Sequence, residues 1–193
     1  GALCIERGGK IQANGTADKP IIMTSGQAAG ARNPGDWGGL IILGNAPTNR
    51  TSTPVIEGGL DRPYGGSNAT DNSGTLKYVR IEYAGIAAFP GSEINGLTLG
   101  GVGSGTTISN IFIKNGDDDA IEFFGGTVNA SNILVVNPKD DMFDFSQGYT
   151  GTCSNLYGIR EAGYTAVTSD PRGIEADGNL DGNSPTDINQ SNF

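Results

Sequence analysis

Two stretches decide the fold: Ser109-Asn110-Ile111-Phe112-Ile113-Lys114-Asn115 and Ser131-Asn132-Ile133-Leu134-Val135-Val136-Asn137. They are the same motif displaced by 22 residues. The same displacement carries Asp118-Asp119-Ala120-Ile121-Glu122-Phe123 onto Asp140-Asp141-Met142-Phe143-Asp144-Phe145, and Gly126 onto Gly148. A third copy opens at Ser154-Asn155-Leu156 and, after a longer loop, resumes at Gly173-Ile174-Glu175-Ala176-Asp177-Gly178. Upstream, Gly96-Leu97-Thr98-Leu99-Gly100-Gly101 aligns with Ala120-Ile121-Glu122-Phe123-Phe124-Gly125 at an offset of 24.

Each unit holds two short runs that alternate apolar and polar, separated by Gly, Asn and Asp. Period-2 alternation over four to eight residues is the pattern of a strand, and no stretch keeps helical periodicity over eleven residues. One unit cannot bury its apolar face alone. Stacked units can, as parallel strands about 4.8 Å apart. The reading is an all-β, single-stranded right-handed parallel β-helix. Leucine-rich repeats share the period but need a Leu-x-x-Leu-x-Leu signature that is absent, and a propeller blade needs about 40 residues. Ile111, Ile113, Ile121, Phe123, Ile133, Val135, Phe143 and Phe145 are expected inside the tube. Glu122, Asp144 and Glu175 fall in one outward column. Asn110, Asn132 and Asn155 recur at one position and are expected to form a ladder of side-chain amides at a left-handed corner. At this repeat length 193 residues give roughly eight rungs. Insertions are expected near residues 26–36, 46–74 and 160–170. The chain is read as one domain, 1–193, truncated at both ends and continuing end to end into flanking rungs of a longer protein.

Composition narrows the chemistry. The net charge is −9 with no histidine. That charge disfavours nucleic acid and anionic membrane as partners. The missing histidines remove Ser-His-Asp and Cys-His catalysis and imidazole metal ligands. No run is long and apolar enough for direct membrane insertion. Cys4 and Cys153, the only two cysteines, are too far apart along such a solenoid to bridge; Cys4 is expected to pack as a small hydrophobe. Trp37, flanked by glycines, is expected to pack over the first rungs. Sequons at Asn14, Asn49, Asn68, Asn129 and Asn189 are of the number chance produces in so Asn-, Ser- and Thr-rich a chain.

The string Arg7-Gly-Gly-Lys-Ile-Gln-Ala-Asn-Gly-Thr-Ala-Asp-Lys-Pro-Ile-Ile-Met-Thr-Ser25 resembles the opening rungs of a family of bacterial cell-surface β-helix proteins, often lipoproteins or secreted modules. Gly35-Asp36-Trp37-Gly38-Gly39-Leu40-Ile41-Ile42-Leu43-Gly44-Asn45-Ala46, then the blocks at 74–85 and 93–103, follow in that family's order. The resemblance covers about residues 5 to 180. It implies the β-helix and an extracellular or cell-surface, outer-membrane-associated setting, and it carries no activity.

Acidic residues gather in the last third. Asp118, Asp119, Glu122, Asp140, Asp141 and Asp144 lie on adjacent rungs, with only Lys114 and Lys139 close in sequence to compensate. Like charges one rung apart repel unless water screens them or a cation joins them. Calcium, which takes six to eight oxygen ligands, suits such corners; a solvated acidic stripe is the other reading. A third is enzymatic. Asp118, Asp119, Asp140, Asp141 and Asp144 offer the carboxyl pair that glycoside hydrolysis needs, and Lys114, Lys139, Arg160 or Arg172 offers a base for elimination. The leading expectation is a non-catalytic structural or adhesion module whose partners are glycans or other surface proteins. The alternative is a carbohydrate-binding module or a polysaccharide lyase or hydrolase.

Overall fold

A computed structural model describes residues 1–89 and 92–177. Among the described residues fourteen strands follow one another: β1 Leu3–Ile5, β2 Ile11–Asn14, β3 Ile21–Met23, β4 Leu40–Leu43, β5 Gly74–Glu82, β6 Ala87–Phe89, β7 Ser92–Glu93, β8 Leu97–Gly100, β9 Thr107–Lys114, β10 Ile121–Phe124, β11 Asn129–Val136, β12 Phe143–Ser146, β13 Cys153–Ile159 and β14 Ile174–Ala176. Among the described residues there is no helix, hence none able to cross a membrane.

The strands build two parallel walls. The first has the order β1-β4-β8-β10-β12-β14; the second runs β13-β11-β9-β5, with β2 and β3 end to end along the free edge of β5. A short antiparallel pair, β6 with β7, stands apart. The walls alternate along the chain, which therefore winds as a solenoid. The repeat offsets are the observed registers: Ile121 pairs with Phe143, Ser109 with Ser131, Ser131 with Ser154, Asp144 with Glu175 and Leu97 with Ile121.

The second wall is creased. Tyr78, Asn110, Asn132 and Asn155 have φ near +55° in the middle of their strands, turning each rung at one residue. Asparagine tolerates this region because its short amide bonds locally. The ladder forms as expected: Asn132 Nδ2 donates to Asn110 Oδ1 at 3.4 Å, and Asn155 Nδ2 to Asn132 Oδ1 at 2.8 Å. Gly74 opens β5 at φ +108°, where a Cβ would stand 2.0 Å from the Ile11 carbonyl oxygen, so only glycine fits below β2.

All eight predicted interior residues are buried. Phe123 stacks on Phe145 with ring centroids 5.0 Å apart, and Tyr149 closes against both while its hydroxyl donates to the Val128 carbonyl at 2.7 Å. Trp37 packs on this core and donates its indole N–H to the Glu82 carbonyl. Both cysteines are free thiols.

The rung count is a correction. Six strands stack in the first wall among the described residues, where repeat length alone predicts roughly eight. The residues went into excursions at the expected places. Leu40 and Leu97 are neighbours in the wall although 57 positions apart in sequence. The largest excursion folds back over the first wall, pinned by an antiparallel bridge between Val55 and Pro63. With Ile94 it sets Ile56 and Tyr64 on the outward residues Ile41, Leu43 and Phe124, making a second apolar cluster outside the tube; Cys4 packs at its margin.

Candidate functional site: a buried carboxylate cluster

The outward column of the first wall reads Cys4, Ile41, Thr98, Glu122, Asp144, Glu175 from one end to the other. Glu122 and Asp144 leave the tube as the alternation requires, but they are not solvated. Only 5% of Glu122 and 8% of Asp144 is exposed. The same covering elements that bury the outer apolar cluster reach this column. Asn95, adjoining Ile94, donates its side-chain N–H to Glu122 Oε2 at 2.7 Å, and Ser146 Oγ donates to Glu122 Oε1 at 3.3 Å. A solvated stripe is therefore not what these two residues form.

The turns before β10 and β12 bring further carboxylates. Two groups of oxygen atoms lie within 4.8 Å of one another: Asp118, Asp119 and Asp140 in one, and Asp119, Glu122 and Asp144 in the other. Asp119 belongs to both, so five of the six carboxylates singled out in the sequence make one connected cluster. Asp141 lies beside it and in neither group. Its backbone N–H donates to Asp119 Oδ1 at 2.8 Å. Its own buried carboxylate accepts the backbone N–H of Arg172, whose guanidinium also bonds Glu175 and Asp170. Asp140 accepts the Thr168 hydroxyl at 2.6 Å. Of the two nearby lysines, Lys139 is engaged by Asp117 at 2.6 Å and Lys114 reaches Glu161 at 3.9 Å, so neither neutralises the cluster.

Loss of water and mutual repulsion drive these carboxyls toward the protonated form. Burial, then the neighbouring Asp118 and Asp144 charges, push Asp119 well up; burial and the Asp144 and Asp119 charges do the same to Glu122. Burial raises Asp144 to about 6, although its hydrogen bond with Glu122 opposes the rise. Glu175 is raised to about 8, first by a hydrogen bond to Asp141 and then by burial. Asp144 Oδ1 and the neighbouring Thr98 Oγ1 are buried with no hydrogen-bond partner. A desolvated carboxylate oxygen without a donor is costly, and a bound cation removes that cost. The donor set, oxygen only and mostly carboxylate, fits a hard divalent ion.

Sequence reasoning did not find Asn95, Ser146 or Thr98. Asn95 comes from a segment with no repeat signal. Ser146 and Thr98 occupy outward strand positions, where a small hydroxyl residue reads as surface.

Two parallel walls wound by one chain are the architecture of a parallel β-helix. Comparison with curated proteins and with solved structures finds no match. The model of the pectate-lyase-like β-helix domain matches residues 2–193, nearly the whole chain, and the protein belongs to that family.

Proposed function

We propose that this protein is a calcium-stabilised structural or adhesive β-helix module of an extracellular or cell-surface protein. The carrying observation is the buried Asp119, Glu122 and Asp144 group with oxygens within 4.8 Å and an orphaned oxygen on Asp144. Asp118 and Asp140 extend it to the surface. Many carboxylates on irregular turns suit the weak calcium sites of extracellular modules, which fill at about 0.1–1 mM ion. The surface setting rests on the resemblance of residues 5–180 to secreted and lipoprotein β-helices.

Thermal unfolding tests the reading. A cation that binds only the folded state stabilises it by about 2.7 kcal/mol at 100-fold excess over its dissociation constant. At constant ionic strength the melting temperature should rise with calcium and fall with chelator. Asp144→Asn and Asp119→Asn should melt no lower than the parent in chelator, because each removes a buried charge, and should lose the calcium response. A parent curve that calcium and chelator leave unmoved would sink the proposal.

The glycan-acting alternative needs an acid and a base about 5–9.5 Å apart with the sugar between them, whereas the Asp119, Glu122 and Asp144 oxygens lie within 4.8 Å of one another and are buried. That closeness, and the Asn95 cover on Glu122, argue for the structural reading. Release of reducing ends or of an unsaturated product from polygalacturonate would reverse the order.

A further inference from the structure

The crease divides the second wall, and beyond it one outward column runs Ile22, Arg80, Phe112, Leu134, Tyr157 in unbroken parallel register. Its inward neighbours Val79, Ile111 and Ile133 are at most 2% exposed, yet Ile22 is 52%, Leu134 36% and Tyr157 63% exposed. Three of the eight large apolar side chains that are exposed among the described residues thus stand in one file, which isolated surface hydrophobes do not do. The Arg80 guanidinium lies over the Phe112 ring, 5.2 Å from its centroid, so the two form one plate. At about 4.8 Å per rung the file is about 19 Å long.

Beside it run two polar files. One is the asparagine ladder. Asn132 and Asn155 each spend one N–H on the preceding asparagine of the ladder and keep a second donor for another acceptor. The other is Ser109, Ser131 and Ser154, paired rung to rung. Charge on this strip cancels. Arg80 pairs with Glu82 at 2.5 Å and Lys114 with Glu161, leaving Lys77 over the ring of Tyr78. In a chain of net charge −9 this is a near-neutral strip, without the cation surplus that a polyanion requires.

We infer that this strip is a second site, separate from the carboxylate cluster, that docks an extended neutral polysaccharide along the solenoid axis. A pyranose presents apolar C–H faces to aromatic and aliphatic plates and hydroxyls at its edge to amides and serines. The rung spacing is comparable to the length one such ring adds to an extended chain, so successive sugars meet successive rungs. Neutral sugars match the cancelled charge.

Insoluble cellulose and chitin, with soluble oligosaccharides of each, serve as probes by depletion and calorimetry. The parent protein should bind one of them equally in calcium and in chelator. Tyr157→Ala, at an exposed position and with its fold checked by circular dichroism, should weaken binding by roughly tenfold or more, the loss typical of an aromatic anchor. Leu134→Asp should do likewise, and Asp144→Asn should not. Chelator-insensitive binding separates this site from the calcium reading, so each survives the failure of the other. Failure to bind either polymer, or equal binding by Tyr157→Ala, would overturn the inference. So would a concentration-dependent dimer in sedimentation that Tyr157→Ala abolishes, which would make a second copy the occupant.

Discussion

Asn132 shows how much of this fold turns on single residues. Its φ is +56° in mid-strand, with Asn110 at the same angle on one side and Asn155 on the other. A β-branched residue is strained there by about 1–2 kcal/mol and also breaks two ladder bonds. Glycine removes the bonds but accepts the angle. Chemical denaturation should therefore rank parent, then Asn132→Gly, then Asn132→Val, with valine about 2–3 kcal/mol below the parent. Equal stability of the two variants would mean that the crease imposes no left-handed conformation. The asparagines were visible in the sequence because they recur at offsets of 22 and 23. Tyr78, which takes the same angle one rung earlier, was not, because nothing in tyrosine's chemistry announces a left-handed bend.

At the scale of elements, the excursion between β4 and β5 governs the first wall. It covers Ile41, Leu43 and Phe124 with Ile56 and Tyr64, and the Tyr64 hydroxyl anchors it by donating to Gln147 at 3.0 Å. Replacing residues 51–63 by a short Gly-Ser link should leave the tube standing, since the interior core is separate. It should expose an apolar patch, read as increased binding of a hydrophobic dye and a tendency to aggregate. A variant with no new dye binding would show that the outer cluster has other cover. The strand pattern itself was legible: four-residue alternation in β10 and β12 placed Phe123, Phe143 and Phe145 inside. The outer cluster left one sign that could have been read. Leu40-Ile41-Ile42-Leu43 is apolar at every position, as strands buried on both faces are. The burial of Glu122 left no such sign, because the Asn95 that covers it comes from 27 positions upstream, in a segment with no repeat signal.

At the scale of the whole molecule, the acidic cluster sets the response to pH. Asp144 is raised from an ordinary 3.8 to about 6, and Glu175 from 4.5 to about 8. A carboxyl with raised folded-state affinity binds its proton more tightly folded than unfolded. Its contribution is complete below the unfolded value and disappears as pH climbs through the folded one. In chelator the protein should thus be most stable near pH 4 and lose stability from there to pH 8, with Asp144 accounting for on the order of 1–3 kcal/mol. Calcium and protons compete for the same oxygens, so the calcium increment in melting temperature should be larger at pH 8 than at pH 5. A pH-independent increment would place the ion elsewhere. The rung total escaped sequence reading for a related reason of scale: an excursion consumes residues without adding a rung, and the repeat unit gives no measure of what lies between repeats.

The span from Leu40 to Leu97 has one more meaning. Adjacent strands of a wall sense register and not the path between them. Closing a span of that length instead of the 24 residues between Leu97 and Ile121 costs only about 0.8 kcal/mol in chain entropy. A gene for such a solenoid can therefore accept an in-frame insertion at a corner with almost no penalty to the fold it encodes. New surface is gained one corner at a time while the walls are inherited unchanged, so divergence in this architecture should accumulate in the excursions and spare the registers.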